Sequence, residues 1–92
     1  VAHPDIRRIS FTGSPPTARS IGAAAAANLT PVSFELGGKS PLIVCDDADL
    51  DLAVATAAGQ YDNAGQVCLA GTRLLVHRAV HDEFAGRLRS AI

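Results

Sequence analysis

Apolar and polar positions change their period several times along this chain of 92 residues. Ile6, Ile9 and Phe11 predict a short strand that ends at Thr12-Gly13-Ser14. Ser14 is a suitable N-cap, and Pro15 and Pro16 suit the first turn of a helix. Ala18, Ile21, Ala25 and Leu29 then recur at helical spacing on an alanine run of high helix propensity. Asn28 supplies a stop. In Val32–Leu36 the period drops to two, with Val32, Phe34 and Leu36 on one face and Ser33 and Glu35 on the other. Gly37-Gly38 breaks that strand. Pro41–Cys45 is continuously apolar and predicts a buried strand. A second helical stripe follows, through Leu50, Ala53, Val54, Ala57, Ala58 and Tyr61, with Asp47 or Asp49 as its cap. Asn63-Ala64-Gly65-Gln66 is turn-like, and Thr72–His77 predicts a strand. Val80, Phe84, Leu88 and Ile92 repeat every fourth position, with Asp82 and Glu83 in the first turn of the helix they predict. The order β-α-β, β-α, β-α predicts an α/β protein.

Composition narrows the function classes. Hydrophobic residues make up 48% and charged residues 18%, which is core-forming material. A net charge of −1 leaves no basic stripe to neutralise phosphates, so no nucleic-acid partner is expected. The Ala23–Ala27 block is too short to span a membrane, and no membrane partner is expected. Cys45 and Cys68 form neither a disulfide framework nor a metal-site pattern. Both can stay reduced, as in a cytoplasmic protein. His77 and His81 stand four apart, but one ends a predicted strand and the other begins a helix, so no metal site is expected. Helix capping explains Asp46, Asp47, Asp49 and Asp51 better than a calcium loop does. The chain starts at Val1, contains no methionine and shows no signal-peptide pattern, which reads as a piece of a longer protein.

A few residues could carry chemistry. Cys68 follows Asn63-Ala64-Gly65-Gln66 and precedes Gly71, so glycine-lined backbone could let a substrate approach its thiol. The plainer alternative is a buried structural cysteine. Glu35 stands just before Gly37-Gly38, where partial removal from water would suit a general base. The plainer alternative is a solvent-facing charge. Thr12-Gly13-Ser14 joins a strand to a helix, a place that can hold phosphate, although Pro15 and Pro16 remove two N–H donors. Cys45 reads as core and Lys39, the only lysine, as a structural residue of the Gly-Gly turn. Tyr61, Val67 and Leu69 flank the Cys68 region and are candidates to touch a substrate, with helix packing as the alternative for Tyr61.

Phe11-Thr12-Gly13-Ser14, Phe34-Glu35-Leu36-Gly37-Gly38-Lys39-Ser40-Pro41 and Asn63-Ala64-Gly65-Gln66-Val67-Cys68 together resemble the aldehyde dehydrogenase superfamily. Their order and intervals match as well, and the resemblance covers essentially the whole chain. It implies an internal fragment of the aldehyde dehydrogenase fold. Residues 1–37 would be the C-terminal part of the Rossmann-like NAD(P)-binding domain, and residues 38–92 the N-terminal part of the α/β catalytic domain. It implies Cys68 as catalytic nucleophile and Glu35 as general base. Gly13 and Ser14 would lie near the cofactor pyrophosphate, with Thr12 and Leu36 lining the nicotinamide. The implied cofactor is NAD or NADP, the partner a small-molecule aldehyde, and the parent protein a homo-oligomer in the cytoplasm. Ala18 and Pro15-Pro16 depart from the usual pattern of the family.

The reaction so implied is oxidation of an aldehyde to a carboxylic acid. Cys68 would form a thiohemiacetal and then a thioester, and Glu35 would activate the hydrolytic water. Glu35 favours hydrolysis over transfer to coenzyme A. An acyl-CoA-forming relative and a catalytically silent structural relative are the alternatives. The family's oxyanion-holding asparagine and its ribose-binding carboxylate would lie outside these residues, so the isolated fragment is expected to be inactive.

Overall fold

A computed structural model describes residues 1–92, which form two compact units, Val1–Gly37 and Gly38–Ile92. The first unit is a single βαβ motif: β1 (Ile9–Gly13), α1 (Pro15–Ala26) and β2 (Val32–Leu36). The strands run parallel, with Ile9 opposite Val32, Phe11 opposite Phe34 and Thr12 opposite Glu35. Helix α1 starts as the sequence predicts, because Ser14 is extended and its hydroxyl accepts from Thr17 N–H. Ile9, Ala18 and Ala25 form the buried core of the unit. The Phe11 ring meets Phe34 edge-on at 6.4 Å.

Two expectations fail at the ends of these elements. Ile6 is not in β1; it closes a turn through its N–H on the His3 carbonyl at 3.1 Å and is 40% exposed. Leu29 is not on the buried stripe of α1. The helix ends earlier, and Leu29 takes a left-handed conformation with φ 53° and 88% exposure. Leu29 N–H bonds the Ala26 carbonyl and Thr30 N–H bonds the Ala25 carbonyl, each at 3.1 Å. This is a Schellman closure, with leucine at the position glycine usually takes. The buried Thr30 hydroxyl then reaches the Ile6 carbonyl at 3.4 Å, tying the corner to the entry of β1.

The second unit contains β3 (Pro41–Val44), α2 (Leu50–Gly59), β4 (Arg73–Val76) and α3 (His81–Ala91). Strands β3 and β4 are parallel, with Leu42 opposite Leu74 and Val44 opposite Val76. Val44, Val54, Ala57, Phe84 and Leu88 make the core, so β3, α2 and α3 share one apolar layer. Asp49 caps α2, its carboxylate accepting from Asp51 N–H at 3.0 Å and Leu52 N–H at 3.1 Å. Arg87 of α3 bonds both Asp51 of α2 and Glu83 one turn back, linking the two helices.

Here too some expectations are corrected. Cys45 is exposed rather than core. The continuous apolar run of β3 implies burial on both faces, but only the Leu42 and Val44 side is covered, and Ile43 remains 66% exposed. Tyr61 lies beyond the end of α2 and is 53% exposed. Val80 and Ile92 fall outside α3. Val80 still packs against the core that Phe84 and Leu88 help to form, from the short turn before the helix, while Ile92 at the far end is 67% exposed.

Candidate active site

The parallel pairing of β1 and β2 brings the first group of candidates to one edge. Thr12 pairs with Glu35 and Gly13 with Leu36, all at the C-terminal ends of the strands. Ser14 follows directly as the cap of α1. Ligands of open α/β sheets bind at this edge. A Cβ on Gly22 of α1 would come within 3.6 Å of the Phe34 ring, so the helix covers the face that Phe34 shares with Phe11. Thr12 and Glu35 therefore belong to the opposite face. Ser33 also belongs to that face, and its hydroxyl accepts from the Arg8 guanidinium at 2.7 Å. Glu35 is exposed.

The turn after β1 is shaped by Gly13 and two hydroxyls. A Cβ at Gly13 would stand 2.6 Å from the tip of the Phe11 ring, so any larger residue displaces that ring. Ser14 Oγ and Thr17 Oγ1 are 3.0 Å apart. Pro15 and Pro16 have no N–H, and Thr17 N–H turns to the Ser14 hydroxyl at 3.4 Å. Helix α1 thus offers hydroxyls at its start where most helices offer amides.

Cys68 lies in the second unit, on the connection from α2 to β4. It is exposed, in a β-turn closed by Ala70 N–H on the Val67 carbonyl at 3.0 Å. Ahead of it Asn63, Ala64 and Gly65 are all left-handed, with φ of 52°, 57° and 71°. That conformation suits glycine and asparagine but is strained for Ala64. Asn63 holds the turn by donating its side-chain amide to the Gln66 carbonyl at 3.2 Å and accepting Gln66 N–H at 3.1 Å. Val67 and Leu69 beside Cys68 are exposed. Tyr61 and Lys39 line a cavity of about 170 Å³ with Gln60, Gly65, Thr72 and Leu74.

The other singled-out side chains have local roles. His77 accepts Ala79 N–H at its ring nitrogen at 3.3 Å, and His81 pairs with Asp82 at 2.9 Å. Sequence reasoning passed over Gln60, whose amide bonds Gly71 N–H at 2.8 Å. A glutamine after a helix-ending glycine gives no distinguishing signal until the loop is seen to return to it.

Two parallel strand pairs with intervening helices place the chain among α/β proteins. The aldehyde dehydrogenase family profile matches residues 1–92, and the chain belongs to that family. It is 56% identical over 90 residues to betaine aldehyde dehydrogenase of Rhizobium johnstonii, covering 97% of this chain and 18% of that protein. Among solved structures, an NADP-dependent enzyme of E. coli superimposes with a TM-score of 0.93 at 46% identity, covering 98% of this chain and 19% of that one. Betaine aldehyde dehydrogenase of Staphylococcus aureus, in complex with NAD+, gives a TM-score of 0.88 at 47% identity, covering 94% and 17%. The chain is thus a mixed helix-and-strand portion of the aldehyde dehydrogenase fold, spanning less than a fifth of the curated relatives it matches.

Proposed function

We propose that these residues serve within a longer NAD(P)-dependent aldehyde dehydrogenase that oxidises an aldehyde to a carboxylic acid. Residues 1–37 would complete its coenzyme domain and residues 38–92 would open its catalytic domain. The observation that carries the reading is the alignment of Glu35, Leu36, Thr12 and Gly13 on one strand edge, with the Cys68 thiol exposed on its own turn.

The edge suits a dinucleotide. The Ser14 and Thr17 hydroxyls stand together where a pyrophosphate would need donors. Thr12 and Leu36 would border the nicotinamide. Bound NAD or NADP would supply the hydride acceptor for the oxidation. The chain's own part is nucleophilic and basic. Cys68 as thiolate adds to the aldehyde carbonyl carbon, forming a C–S bond and placing the charge on oxygen. The Cys68 backbone N–H is available to steady that oxyanion. Loss of hydride from the same carbon leaves a thioester on Cys68. Glu35 takes a proton from water, the water oxygen adds to the thioester, and the carboxylic acid leaves as the thiolate is restored.

The test uses the complete enzyme and a panel of aldehydes. Cys68→Ser should lower kcat by ~10⁴-fold or more. Glu35→Gln should release a single burst of reduced cofactor and then stall, because acylation survives and deacylation does not. The 92 residues alone should give no turnover. Full steady-state activity in Glu35→Gln, or a requirement for added coenzyme A, would overturn the hydrolytic reading.

A further inference from the structure

The loop carrying Cys68 is tied at both ends by one side chain. Gln60 follows α2, and its Nε2 donates to the Thr56 carbonyl at 2.9 Å, which fixes the amide against the last turn of the helix. Its Oε1 accepts Gly71 N–H at 2.8 Å, across a span of 11 residues. Gly71 is buried, and a Cβ there would stand 3.1 Å from Leu42 Cβ and 3.5 Å from the Gln60 oxygen. The exit of the loop therefore passes through a narrow slot between β3 and this amide, where an added Cβ would crowd Leu42. Just beyond it, Arg73 is pinned to the residues that lead into β3, its N–H on the Ser40 carbonyl at 3.2 Å and its Nε on the Lys39 carbonyl at 2.7 Å.

Between these ties, after Tyr61 N–H on the Ala58 carbonyl at 3.0 Å and before the buried Ala70, the backbone hydrogen bonds run within the loop's own turns. Asn63, Ala64 and Gly65 are left-handed, and Val67–Ala70 is a single β-turn with Cys68 and Leu69 exposed. A loop of this kind gains order chiefly where its ends are closed. A primary amide suits the closure because one planar group both donates to a carbonyl and accepts an N–H. We infer that Gln60 is a positioning residue for the Cys68 thiol, setting where the turn presents it. This rests on the reading of Cys68 as nucleophile.

The experiment compares Gln60→Met and Gln60→Glu in the complete enzyme. Methionine keeps the bulk and loses both bonds, whereas glutamate keeps an acceptor for Gly71 N–H. Gln60→Met should lower kcat by about ten- to a hundredfold, as misplacement of a reacting group does, with KM for the aldehyde little changed. Hydrogen exchange should quicken in peptides spanning residues 61–72 and stay unchanged in α2 and α3. Gln60→Glu should recover most of the lost kcat. The inference fails if Gln60→Met turns over like the parent, or if Gln60→Glu loses as much as Gln60→Met. It fails equally if exchange quickens throughout α2 and α3, since Gln60 would then support the fold at large. The nucleophile reading has its own check: undiminished turnover in Cys68→Ser sinks that reading, whatever Gln60 does.

Discussion

At the scale of single residues, the backbone asks for glycine in places where the sequence does not supply it. Leu29 and Ala64 both hold left-handed conformations, each costing about 1–2 kcal/mol relative to the right-handed region. Leu29→Gly keeps the Schellman bonds and relieves that cost, against the greater freedom of glycine in the unfolded chain. A net gain of about 0.5 kcal/mol is expected in denaturant unfolding of the complete enzyme. A loss would mean that the Leu29 side chain is packed there. Ala64 differs in its setting, four residues before the proposed nucleophile and followed by the left-handed Gly65. The Asn63 and Gly65 turn was legible in the sequence, because both residue types tolerate positive φ. The left-handed Ala64 was not, since alanine has no preference for it.

At the scale of elements, starts were more legible than ends. Helix starts carry a chemical mark, a side-chain oxygen that meets free N–H groups, and Ser14 and Asp49 both do this. Asp49→Ala should destabilise the folded enzyme by about 1 kcal/mol, and Asp49→Ser should retain most of the stability. Thermal unfolding of the two variants side by side checks this. If both lose equally, the Asp49 carboxylate acts otherwise than as a cap. Helix ends carry a weaker mark, so the stripe through Leu29 ran past the end of α1 and Tyr61 past the end of α2. The β3 strand shows a further limit. Its apolar run identifies a strand with two apolar faces, yet Val44 is 2% exposed while its neighbour Ile43 is 66% exposed. A run of this kind states what a strand can bury, not which elements are present to cover it.

At the scale of the whole molecule, the chain belongs to the aldehyde dehydrogenase family and spans 18% of its Rhizobium johnstonii relative. Leu69 at 80% and Ile92 at 67% exposure leave large apolar side chains in water. The candidate chemistry was legible because it depends on residue types at fixed intervals, and Glu35, Cys68 and the Thr12-Gly13-Ser14 turn can all be read in one dimension. Their local setting was not: the pairing of Thr12 with Glu35 and the closure of the loop by Gln60 arise only when separate segments fold back together. The central claim is that Cys68 carries an acyl group that Glu35 helps to remove. The most direct measurement is the mass of the Cys68 peptide after the complete Glu35→Gln enzyme is mixed with aldehyde and cofactor and quenched in acid. The account predicts a gain equal to the aldehyde less a hydride and a proton, the mass of a thioester, on Cys68 and not on Cys45. An unmodified Cys68 alongside a full burst of reduced cofactor would contradict it.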